Sequence, residues 1–322
     1  MALGSSGCQW LQQSMAPPSP APTGERPARP EGPRVYVSDK DSYVVAIRTS
    51  DDTPAEKFPV EHGAGGVALS PDGLYLYASA KTQDYVRVFQ TTGIPVGRLN
   101  TGREPAGMVM SRDGKRLYVA NKGSDSVTVL DLESRKTVVT FPSGHQPALV
   151  ALSCDEKRLY VLAHKDNLVI ACAPDSGQEA ARAQVPPGAF GLAVDPGGRF
   201  LYVSSFDGND VSVLDATTLA LVSTVKVGDG AYDVVAAESG KVYVACVEDS
   251  SVVTFSRDDL SAEPLATPVG ARPYGLALSP DQSKLYIALE GDNKLGIRSL
   301  PGLEEKPALD LGVTPVDVFT GP

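Results

Sequence analysis

The chain has 322 residues, 42% of them hydrophobic, with 31 glycines, 26 prolines, four cysteines and a net charge of −10. That charge excludes general attraction to nucleic acid or to an anionic membrane surface. No apolar run is long enough to cross a bilayer as a helix, and no cysteine pair has metal-type spacing.

Residues 1–33 come first and belong to no repeat. Met15–Pro33 holds seven prolines and almost no large apolar residue, so residues 1–33 are expected to form a disordered Pro-rich tail. The opening MALGSSGC is too short to supply the apolar region of a secretory signal, so no complete signal peptide is read there.

From Arg34 onward the chain is periodic. Tyr36, Tyr77, Tyr118, Tyr160, Tyr202, Tyr243 and Tyr286 recur at intervals of 41, 41, 42, 42, 41 and 43 residues. A period near 40 with four short apolar runs and no helical stretch predicts a β-propeller, one four-stranded antiparallel blade per repeat. The third repeat shows the layout. Gly107–Ser111 is strand A, nearest the axis; Arg116–Ala120 is B, Ser126–Asp131 is C, and Thr137–Phe141 is D, at the rim. Asp113-Gly114 supplies the positive φ that the turn between A and B needs, as do Asp72-Gly73 and Gly197-Gly198. Strands A and B read as continuous apolar runs, which fits a sheet covered on both faces.

The ends predict closure. The chain enters at a strand B, RVYVSD (Arg34–Asp39), and finishes on TPVDVF (Thr314–Phe319), which aligns with strand A of the other repeats. The last strand is expected to complete the first blade, giving an all-β, seven-bladed, monomeric ring over residues 34–322 with no open edge.

The strand-B phrases YVAN at Tyr118–Asn121, YVSD, YVSS and YIAL resemble the repeats of the YVTN-type β-propeller family. That resemblance covers residues 34–322. It implies a fold shared with lactone hydrolases, streptogramin lyases, surface-layer binding proteins and quinoprotein amine dehydrogenase heavy subunits, and it favours an extracytoplasmic location. Fold alone does not choose among these functions.

In such a blade the D–A and B–C loops emerge on one face, and that face breaks the repeat. It receives His62 and His145 just before strand A, and His164 in a B–C loop. Just before strand A the ring carries Arg103-Glu104, His145-Gln146 and Arg272 where other blades have glycine. Just inside strand A stand Tyr232, Tyr274 and Phe190, then Asp233 and Asp317, while Glu248 and Glu290 belong to B–C loops. Irregular loops on a rigid scaffold are where function is placed, and a lined funnel is a binding site by default. Arg272 is the leading candidate for an anionic group, through bidentate hydrogen bonds.

The leading reading is a recognition propeller that binds a small molecule or a protein segment in the axial funnel. The resemblance supports an alternative, a lyase or lactone hydrolase. There His145 or His62 would act as acid or base with Glu104, and Glu104, Glu248 or Glu290 would hold a divalent metal ion. A cell-surface or assembly scaffold is the third reading. Whether the protein is an enzyme is left open by the residues.

Overall fold

The computed structural model describes residue 27 and residues 29–40, 42–61 and 63–321. Most of the expected tail, and the candidate His62, lie outside the described residues. Seven four-stranded antiparallel sheets make the ring. The third blade runs Pro105–Met110, Arg116–Asn121, Ser126–Asp131 and Lys136–Pro142, close to the expected bounds. The inner strands of blades two to seven are Ala64–Leu69, Pro105–Met110, Pro147–Leu152, Ala189–Val194, Ala231–Ala236 and Pro273–Leu278. Among the described residues, helix is limited to three 3-10 turns, Lys122–Ser124, His164–Asp166 and Glu290–Asp292. All three sit in B–C loops. No helix of the described residues is long and apolar enough to cross a membrane.

The repeated tyrosines mark the core because strand B is covered on both faces. Tyr36, Tyr160, Tyr202, Tyr243 and Tyr286 are buried. Each core cluster is shared by two blades: Tyr202, Val211 and Val213 of blade five pack with Val242, Val244 and Phe255 of blade six. A single blade therefore cannot bury its faces alone, and the ring folds as a ring.

Pro315–Thr320 is the inner strand of blade one. It pairs antiparallel with Arg34–Asp39, setting Tyr36 opposite Phe319 and Val37 opposite Val318. A second latch ties blade seven to blade one. Lys284 Nζ donates to Asp52 Oδ1 and Oδ2 at 2.7 and 2.8 Å, and the Tyr286 hydroxyl donates to Asp52 Oδ1 at 2.6 Å. Pro33, at the end of the expected tail, already accepts a hydrogen bond from the Thr49 amide at 3.1 Å.

Candidate functional site

All seven inner strands share a local irregularity that decides what lines the axis, and in blade one the shift falls between Pro315 and Asp317. Register with strand B shifts between Ala64 and Val67, Pro105 and Met108, Pro147 and Leu149, Ala189 and Gly191, Ala231 and Val234, and Pro273 and Leu276. Each shift is a bulge at the second or third residue of the strand, and bulges re-aim side chains. The third residue is glycine in blades two, three, five and seven, where crowding keeps it small. A Cβ on Gly107 would lie 2.7 Å from the Ala148 carbonyl oxygen, and one on Gly275 would lie 2.5 Å from Asp317 Cα.

The second residue gives the funnel its asymmetry. Blades two, three and four carry Gly65, Ala106 and Ala148 there, whereas blades five, six and seven carry Phe190, Tyr232 and Tyr274. The three rings form one wall. Phe190 stacks on Tyr232 with centroids 5.0 Å apart and planes at 23°. Tyr232 meets Tyr274 edge-on at 4.8 Å, and the His164 ring lies 4.4 Å from Phe190. Phe206 abuts Phe190 from its B–C loop at 6.1 Å. All of them keep part of their surface exposed.

Two carboxylates stand beside this wall at the third inner-strand position. Asp233 accepts the Val234 amide on Oδ1 and the Leu276 amide on Oδ2, both at 2.8 Å. It thereby spans the inner strands of blades six and seven. Asp317 makes no hydrogen bond and no ion pair among the described residues. Both stand on inner strands and are partly buried. Burial pushes Asp233 up to about 7, helped by the Asp317 charge, although its two amide donors oppose the rise. Burial also raises Asp317, against the field of Lys81. The Tyr232 phenol is raised by burial and then by Asp317, Asp233, Tyr274 and Glu290, which places those groups around one space. Carboxyls shifted by burial inside a funnel are candidates for function.

The loop candidates sit above this floor. The residue before strand A is left-handed in six blades: Gly63, Gly188 and Gly230, but also Glu104, Gln146 and Arg272 at φ 51°, 50° and 51°. The preceding blade fixes this conformation. Asp125, Asn167 and Asn209 accept the backbone N–H of Gln146, Gly188 and Gly230 at 2.8, 3.1 and 2.9 Å. Three large polar side chains thus occupy positions that favour glycine, a form of strain that concentrates at functional sites.

Arg272 is engaged within the protein rather than bare. Nε donates to Glu290 Oε2 at 2.9 Å, and a terminal nitrogen donates to the Tyr274 hydroxyl at 2.7 Å. Glu290 belongs to the 3-10 turn of blade seven and also faces Lys40 at 3.5 Å. Glu248, the other glutamate expected near Arg272, is exposed and forms no ion pair among the described residues. His145 is joined to Asp166, not to Glu104: Nδ1 lies 2.8 Å from Asp166 Oδ1. That hydrogen bond raises the imidazole's pKa. Glu104 instead lies over Gly123, and Arg103 and Gln146 are exposed at the mouth. His164 donates from Nδ1 to the Ala189 carbonyl at 2.8 Å, which fixes its ring against the wall. No three His, Cys, Asp or Glu side chains among the described residues come together as a metal site. Glu104, Glu248 and Glu290, the carboxylates considered for a divalent ion, thus belong to no such group among the described residues.

A cleft of about 540 Å³ lies toward the rim of blade three, lined by Thr101, Gly102, Ser124, Asp125, Thr140 and Phe141 among others, away from the aromatic wall. Phe206, Lys81 and Asp166 were not among the sequence candidates. Phe190 had a signal, since it occupies the same repeat position as Tyr232 and Tyr274.

The family described as lactonase, seven-bladed β-propeller, matches residues 34–140 and, overlapping, 90–182. Together these matches span less than half of the chain, and the fold is a seven-bladed propeller. Among solved structures it is similar to the periplasmic gluconolactonase of Pseudomonas aeruginosa, at 18% identity and TM-score 0.74, covering 90% of this chain and 99% of that one. A functionally unknown protein of Desulfotomaculum acetoxidans matches at 15% identity and TM-score 0.76, over 90% and 99% of the two chains. Hydrazine synthase of Kuenenia stuttgartiensis matches at 20% and 0.66, over 74% and 76%. At these identities the likeness is one of fold. Among curated proteins none matches this chain.

Proposed function

We propose that the protein binds a small ring-bearing molecule in its axial funnel, against the wall of Phe190, Tyr232 and Tyr274. The observation that carries this reading is the asymmetry of the inner strands. Three consecutive blades supply aromatic rings where three others supply glycine or alanine, so the bulk on the inner strands lies to one side of the ring. Aromatic walls with a few convergent polar groups are the usual make-up of small-molecule sites. The test is a thermal-shift panel of D-glucono-1,5-lactone, benzoate and choline on the wild type, Tyr232→Ala and Arg135→Ala, the last in a turn on the opposite face. The reading expects at least one probe to raise the melting temperature of the wild type and of Arg135→Ala but not of Tyr232→Ala. Shifts that survive Tyr232→Ala, or none in any protein, would contradict it.

Lactone hydrolysis is the second reading, favoured by the family match together with a funnel carboxyl that titrates near neutrality. Asp233 in its ionised form would take a proton from water as the water oxygen adds to the lactone carbonyl. The ring C–O bond then breaks, and the proton passes to the alkoxide leaving oxygen. No step is routed through a metal ion, for which the described residues offer no three-ligand group. Acid release from D-glucono-1,5-lactone in a pH-stat should exceed the spontaneous rate and return to it in Asp233→Asn. A rate at the spontaneous level in the wild type would remove this reading and leave the first intact.

A further inference from the structure

The Arg272 cation is already satisfied, and the Asp317 carboxylate is not. The Arg272 guanidinium is held by Glu290 and the Tyr274 hydroxyl, and Glu290 has Lys40 as a second cation. An incoming carboxylate or phosphate would have to displace Glu290 before it gained the guanidinium. Below them, Asp233 and Asp317 form no ion pair among the described residues. Lys81 bears on Asp317 only from beyond ion-pair distance. Asp233 has two backbone donors, whereas Asp317 has none among the described residues. The Tyr232 ring feels both carboxylates, Tyr274 meets it edge-on, and both rings present negative faces of their own. Aromatic faces beside unpaired carboxylates attract one class of ligand. The bulk of the ligand meets apolar rings, and its positive charge replaces the counter-ion that the fold does not supply.

We propose that the funnel takes an organic ammonium ion, with its alkylated or ring-bearing head against Tyr232 and Tyr274 and its charge directed at Asp317. This rests on the funnel being the ligand site and adds the charge of the ligand to it. A bare metal ion does not suit the same place, because no three ligating side chains converge among the described residues.

Titration calorimetry on the full chain with choline, its uncharged carbon isostere 3,3-dimethylbutan-1-ol, and benzoate tests the charge directly. Choline should bind at least about tenfold more tightly than the isostere, the scale of a desolvated cation–π and ionic contact. Asp317→Asn keeps the shape, and should lower choline affinity by about tenfold or more while leaving the isostere within about twofold. Lys81→Met, which removes the competing cation from the loop above, should tighten choline and does not depend on Asp317→Asn folding. An isostere that binds as well as choline, or choline binding unchanged in both variants, would overturn the proposal. If benzoate or the lactone binds in a Tyr232-dependent way and choline gives no heat, the funnel reading stands and the charge assignment falls. If no probe depends on Tyr232, both fall.

Discussion

Asp233 is the residue on which stability and function meet. Its folded-state pKa of about 7 lies above the ordinary carboxylate value near 3.8. Between those values the folded protein binds more protons than the unfolded chain. The stability this group contributes is therefore fully present below about pH 4 and is lost as the pH rises through about 7. The turn aspartates act in the opposite sense. Backbone and side-chain hydrogen bonds from Ser134 hold Asp131 down at about 2, and Asp113, Asp155 and Asp281 are also lowered. Their contribution is present above about pH 4 and lost below it. Melting temperature should accordingly peak on the mildly acidic side of neutrality. In Asp233→Asn the decline from pH 5 to pH 8 should flatten by a few degrees, as followed by circular dichroism. An unchanged slope would show that another group sets it. The sequence exposed Asp233 and Asp317 as departures from glycine or leucine in the repeat. It could not show that their carboxyls are enclosed by seven converging strands, because that enclosure exists only once the ring is closed.

At the level of the element, the loop before each inner strand carries the site, and its backbone was not legible in advance. Glycine at Gly63, Gly188 and Gly230 hinted at a left-handed turn. Glu104, Gln146 and Arg272 share that conformation, which at Gln146 is held by a bond across blades from its amide to Asp125. A non-glycine residue in that region costs roughly 1–2 kcal/mol, while glycine loses roughly 0.5–1 kcal/mol more than alanine in backbone freedom on folding. Gln146→Gly should therefore be between neutral and about 1.5 kcal/mol more stable than the wild type, measured by urea unfolding. A loss of more than about 1 kcal/mol would mean that the glutamine side chain itself holds the loop. Strand positions were legible to within about two residues, since two-sided burial imposes an apolar phrase on every strand B. The pairing of His145 was not. Its partner Asp166 lies in a 3-10 turn that the repeat pattern does not announce.

For the whole molecule, closure and the funnel are one property, because the inner strand of blade one brings Asp317 to the axis and ends the ring. Removing Pro315–Pro322 takes away the strand paired to Arg34–Asp39 and exposes its edge. Such a chain should melt many degrees below the full protein, and a difference of one or two degrees would contradict the closure. Asp52→Ala should cost about 1–3 kcal/mol, since it leaves the Lys284 ammonium and the Tyr286 hydroxyl without their shared acceptor. The ring, its seven blades and the face that departs from the repeat were all legible from a period near 40 and from the odd ends of the chain. The aromatic wall was legible only in part, because the bulges that turn the second inner-strand residues toward the axis leave no mark in the sequence beyond small neighbours. The claim that the axial funnel is the ligand site is tested most directly by a crystal structure with bound probe. Crystals soaked with whichever panel compound gives the largest thermal shift should show its density against Tyr232 and Tyr274, within contact of Asp317. Density confined to the face of the A–B and C–D turns, with the funnel empty of probe, would contradict the account.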